Sequence, residues 1–134
     1  MSPDLTDARP PLTMLTEQER MFQEAARDFA ESEVRPKTIE MDRAQAMDPD
    51  LIRKLFELGL MAIEIPEEHG GAGADFFSSA LVVEELSRVD PSVAVIVDVQ
   101  NTLVINALLR WASPDQQARH LPSPQAETLL IRRL

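Results

Sequence analysis

The chain of 134 residues contains no cysteine, which excludes a disulfide framework, a thiolate metal site and a cysteine nucleophile. Glycine is scarce, with 4 residues in all, and Gly70, Gly71 and Gly73 sit almost together. Positive charge is outnumbered: Lys and Arg total 13 against 23 Asp and Glu, a formal net charge of -10. That balance argues against nucleic acid or an anionic membrane surface as a partner. No uninterrupted apolar run approaches the roughly 20 residues of a membrane span. Met1–Leu15 carries Asp4 and Asp7 with Arg9 as its one cation, which fits neither a secretory signal nor an Arg-rich transit peptide. These absences lead to the expectation of a soluble, cytoplasmic protein. What remains is a globular composition, 44% hydrophobic and 27% charged, in a chain long enough to bury about two-thirds of its unfolded surface.

Helix punctuation dominates the chain. Thr16-Glu-Gln-Glu19 is a capping box, with Phe22, Ala25, Ala26 and Phe29 following at helical spacing. Pro36 is expected to kink or restart this helix near Val34, with continuation over Thr38–Ala46. Asp48-Pro49 signals a second start, Leu51, Ile52, Leu55 and Phe56 form its apolar stripe, and Gly59 suits a left-handed stop. Leu60–Ile65 reads as an apolar link and Pro66–Ala74 as a turn. Asp75 caps a third helix running to about Val89, with Ala80, Val83 and Leu86 expected inward. Asp90-Pro91 and Ser113-Pro114 repeat the cap-then-proline signal.

Val93, Val95, Val97 and Val99 alternate as a strand would. Asp98, Asn101, Thr102 and Asn106 instead fall on one helical line, so this segment is expected to be a helix nearly surrounded by protein. The fold expected is an all-α up-and-down bundle of five or six helices. Residues 1–14 are expected to form a flexible arm, 15–122 the helical domain and 123–134 an atypical tail with Arg132 and Arg133.

Few residues suggest chemistry by themselves. The HGGAG stretch invites an anion-binding reading, yet its spacing is neither GxGxxG nor GxxxxGK[ST], and a plain turn is the simpler expectation. Glu84 and Glu85 lack the Glu-x-x-His partner of helical di-metal sites, so no metal site is expected. His69 reads as a turn residue, and His120 as a helix-end residue favoured by the dipole. The polar line on the fourth helix either bonds between helices or faces a ligand cavity.

The stretches LTEQERMFQEAARDFAESEVRP, LFELGLMAIEIPEEHGGAGADF, LVVEELSRVDPSVAVIVDVQNTL and WASPDQQARHLP resemble, in order, the N-terminal helical domain of the acyl-CoA dehydrogenases. The likeness covers about Leu15–Pro122 and, through Ser-Val-Ala-Val and Val-Gln-Asn-Thr-Leu, is most similar to the short/branched-chain subgroup. The resemblance implies an enzyme with a middle β-domain and a C-terminal four-helix bundle, FAD held between them, and acyl-CoA and electron-transfer flavoprotein as partners. There the flavin accepts a hydride from the acyl β-carbon while a glutamate removes the α-proton. After Leu-Pro this chain reads SPQAETLLIRRL in place of the family's flavin motif. It is therefore expected to carry no catalytic and no cofactor-binding residue, and to bind no FAD alone. The alternative class is a non-catalytic helical interaction module or inert fragment.

By the same resemblance, Val95, Val99 and Leu103, spaced i, i+4 and i+8, are candidate substrate-binding residues at the deep end of the acyl pocket. Ordinary core packing is the competing account. Faces that the family buries against other domains would be bare here, so self-association is expected.

Overall fold

The computed structural model describes residues 11–121; most of the expected arm and all of the expected tail lie outside the described residues. The α-helices are α1 (Glu17–Phe29), α2 (Thr38–Ala44), α3 (Pro49–Glu57), α4 (Phe76–Ser87), α5 (Pro91–Asp98), α6 (Asn106–Trp111) and α7 (Pro114–His120). A π segment (Ala30–Val34) and a 3-10 turn (Arg35–Lys37) join α1 to α2, and a second π segment (Val99–Ile105) joins α5 to α6. The described residues thus form five rods, at 17–44, 49–57, 76–87, 91–111 and 114–120. No strand occurs among them, and the fold is the expected all-α bundle.

Each rod begins on a side chain that satisfies an otherwise orphaned backbone donor. The Thr16 hydroxyl accepts from the Glu19 N–H at 3.2 Å, while the Glu19 carboxylate accepts from the Thr16 N–H at 2.8 Å. Asp48 accepts from the Asp50 N–H, Asp75 from Ser78, Asp90 from Ser92 and Ser113 from Gln116. Proline holds the first helical position after Asp48, Asp90 and Ser113, where its missing donor costs nothing. Pro36 cannot donate to the turn behind it and its ring crowds that turn. The chain answers by widening into the π segment just before it, without breaking the rod. α2 ends at Ala44, short of the expected Ala46, because Gln45 turns left-handed at φ 50. Gly59 stops α3 at φ 75, a conformation that favours glycine.

α4 lies between α1 and α5. Phe22, Ala26 and Phe29 of α1, Leu51 and Leu55 of α3, and Val93 and Val97 of α5 meet in one core. A smaller cluster joins Ala62, Ile65, Ile105 and Leu121 beneath the last rods.

Two expectations need correcting. On α4 the buried face is Ser78, Ser79, Leu81, Val82, Glu85 and Leu86, whereas Ala80 is exposed and Val83 only partly covered. Apolar residues surround this helix, so periodicity does not single out its face; close packing against α1 does, drawing two serines inward. The rod Pro91–Trp111 is not nearly surrounded: about a third of its most apolar window is buried, and at mean hydropathy 1.6 it is long and apolar enough to cross a membrane. No unbroken run of apolar letters reveals that length, because Asp98 and Asn101 interrupt it. Of these, Asn101 ties the rod into the bundle.

Candidate functional site

Asn101 is the pivot of the Pro91–Trp111 rod. It is fully buried, and its Nδ2 donates to the Leu60 carbonyl at 2.9 Å and to the Val97 carbonyl at 3.0 Å. Its Oδ1 accepts from the Ile63 N–H at 3.0 Å. One side chain thereby satisfies two backbone groups of the 60–65 link, which has no ladder of its own to do so. Thr102 Oγ1 donates back to the Asp98 carbonyl at 2.7 Å, and Asn106 Nδ2 donates to the Asn101 carbonyl at 3.3 Å and to Glu64 Oε2 at 3.4 Å. Side chains that engage carbonyls within the rod compete with the i→i−4 ladder, which accounts for the π widening over Val99–Ile105. The polar line is therefore an interhelical and intrahelical bonding line.

The opposite side of the rod is bare. Val95 is 57% exposed, Val99 38% and Leu103 64%, and Trp111 at the rod's end is 84% exposed. Ordinary core packing, the competing account of Val95, Val99 and Leu103, is thereby removed for the described domain. Exposed Ala107 and Trp111 extend the i, i+4 series, a continuation the sequence reading missed although the spacing was available to it. In a regular α-helix such a series drifts around the axis, since a turn takes 3.6 residues. The π turns hold more residues each and offset that drift, so the series stays a ridge. Beside it, Thr102, Leu103, Asn106, Ala107, Arg110 and Trp111 line an open groove of about 350 Å³.

Other candidates resolve as structure. In the glycine turn the donors face inward: Gly70 donates to Glu67, Gly71 to Pro66, Ala72 to Ala62, Gly73 to Ile65 and Ala74 to Ile63. A Cβ on Gly71 would lie 2.1 Å from the Ile65 carbonyl oxygen, so this glycine serves close backbone approach. The backbone donors of residues 70–74 are thereby engaged inside the protein. Among the described residues no three His, Asp or Glu side chains converge as metal ligands. Glu85, 4% exposed, accepts from Arg27 Nη2 at 2.7 Å and Nε at 3.1 Å, and from Arg88 Nη1 at 2.8 Å. The Arg27 hydrogen bonds, reinforced by Arg88, outweigh burial and hold its carboxyl below the usual range. Neighbouring Glu84 points to solvent.

The described residues thus form an all-helical domain with a bare apolar ridge on a tethered rod. Residues 16–126 match the acyl-CoA dehydrogenase N-terminal domain, and the chain belongs to that family. It is 43% identical over 117 residues to the short/branched chain specific acyl-CoA dehydrogenase, mitochondrial, of Bos taurus, covering 87% of this chain and 27% of that one. A probable short/branched chain specific acyl-CoA dehydrogenase of Dictyostelium discoideum is 41% identical over 111 residues, 83% of this chain and 27% of that one. Butyryl-CoA dehydrogenase from Megasphaera elsdenii superposes with TM-score 0.79 at 30% identity, covering 86% of this chain and 31% of that one. The chain thus spans under a third of the length of these relatives.

Proposed function

We propose that this domain supplies one wall of the acyl pocket in a flavin-dependent acyl-CoA dehydrogenase acting on short or branched acyl-CoA thioesters. The observation that carries the reading is the bare ridge of Val95, Val99 and Leu103, three branched apolar side chains held in line by a rod that Asn101 anchors. Their role is to exclude water and limit the depth available to an acyl chain; they move no proton and hold no charge. The likeness to short/branched-chain relatives supports the substrate class.

The backbone donors of residues 70–74 are engaged by carbonyls of residues 62–67, which supports a reading in which the glycine stretch is a turn and not a flavin site. The 134-residue chain is accordingly proposed to be inactive alone, with flavin binding, the catalytic glutamate and docking of electron-transfer flavoprotein all belonging to other parts of the enzyme. A purified chain carrying a flavin absorbance band near one per chain would overturn this. The cytoplasmic placement remains a proposal from composition. The exposed ridge also favours self-association of the chain.

The acyl-wall reading is tested in the whole enzyme, assayed across acyl lengths with Val99→Ala. Each methylene newly buried is worth about 0.8 kcal/mol, so kcat/KM for the next longer acyl group should rise about fourfold relative to the shortest substrate. An unchanged chain-length profile would refute it.

A further inference from the structure

We propose that the Pro91–Trp111 rod pairs antiparallel with the same rod of a second copy of this chain, ridge on ridge, with Asp98 of each copy meeting Arg110 of the other. Two rows along the rod carry the inference, an apolar one on the bare side and a partly covered polar one on its flank. The apolar row is Val95, Val99, Leu103, Ala107 and Trp111, every fourth residue, with Leu103 at its midpoint. A polar row with the same spacing runs beside it: Asp98, Thr102, Asn106 and Arg110. The rows are neighbours in space, since one groove takes its lining from both, Thr102, Asn106 and Arg110 on one side and Leu103, Ala107 and Trp111 on the other.

A two-fold axis at Leu103 sets Val95 of one copy against Trp111 of the other and Val99 against Ala107, along about 24 Å of helix. Such an axis, perpendicular to the plane of the paired rods, keeps the polar row on the same flank in both copies. The midpoint of that row falls one residue further on, an offset of about 1.5 Å. The same register therefore brings Asp98 beside Arg110 of the second copy, twice, and Thr102 beside Asn106. A parallel pairing has its two-fold axis along the rods, which puts the polar row on opposite flanks and makes neither Asp98–Arg110 contact, so charge complementarity favours the antiparallel one. The ridge bears no charge, and the net charge of -10 per copy acts through groups that salt screens beyond about 8 Å. Pairing concerns the chain by itself and does not rest on the acyl-wall reading.

The test is sedimentation velocity of the whole chain over a range of concentrations, with the emission of Trp111, the single tryptophan, read in parallel. A dimer is expected, with emission shifting to the blue as concentration rises. Asp98→Arg and Arg110→Asp each place like charges together at both contacts and should weaken the dimer about tenfold or more. An equimolar mixture of these two variants should associate again, because each then meets its opposite. Leu103→Glu places two carboxylates on the axis and should leave a monomer with unchanged circular dichroism. The proposal is overturned by a monomeric wild-type chain, by single variants that associate as the wild type does, or by a mixture that fails to recover. A monomer whose Trp111 emission is already blue-shifted would put another part of the same chain on the ridge and overturn it as well.

Discussion

The two sides of the Pro91–Trp111 rod are made of much the same residues and do opposite things. Val93, Ala94, Val97 and Ile105 are sealed inside the bundle, while Val95, Val99, Leu103 and Trp111 stand in solvent. Both sides alternate along one apolar segment, and both hold valine. What separates them is the buried amide of Asn101, which fixes the rod's rotation by holding the Leu60 carbonyl and Ile63 N–H. An apolar side chain stabilises through the water it leaves; the inner valines have left it, and the outer ones leave it only against a further surface.

Mutations on the two sides should separate accordingly. Asn101→Ala removes the partner of two buried backbone groups, and urea unfolding followed by circular dichroism should register a loss of about 2–4 kcal/mol. A variant with near-native stability would show that Asn101 does not set the rotation. Val97→Ala, inside, should cost about 2 kcal/mol through lost burial and the void left behind.

The same contrast runs between adjacent carboxylates. Glu85→Gln weakens the contacts of two guanidinium groups and should cost about 1 kcal/mol, discounted because both arginines reach solvent. Glu84→Gln, next to it in the chain but exposed, should change nothing measurable. Because the Glu85 carboxyl lies below its usual range when folded, the unfolded chain binds its proton first as pH falls. Its stabilisation is therefore complete above the ordinary glutamate range, about pH 4.3, and fades as pH drops through and below it. Unfolding midpoints measured from pH 6 down to 3 should fall less steeply in Glu85→Gln than in the wild type.

Smallest is the expected effect outside. Val95→Ala should shift stability by less than about 0.5 kcal/mol, since the lost contact is with water and alanine favours the helix. A loss as large as that of Val97→Ala would mean the ridge is already covered.

Helix starts were legible because capping is local. Thr16, Asp48, Asp75, Asp90 and Ser113 each satisfy a donor two or three residues away, within the span that a sequence pattern describes. The helical answer for Val93–Val99, against its strand-like alternation, was likewise available from the spacing of Asp98, Asn101, Thr102 and Asn106. The ridge was legible as a stripe, and its resemblance-based assignment named Val95, Val99 and Leu103 together.

Which way that stripe faces was not legible, and neither was the buried side of α4. In both helices apolar residues occur around the axis, so rotation depends on neighbours distant in the chain. Asn101 finds Leu60 across 41 residues, and Glu85 finds Arg27 across 58. Local chemistry determined where helices begin and that the described domain is all-helical, because each cap and proline acts within a turn. Tertiary structure decided which valines are core and which are surface, because a buried polar group takes whichever partner the fold brings within about 3 Å, and that partner then sets the face.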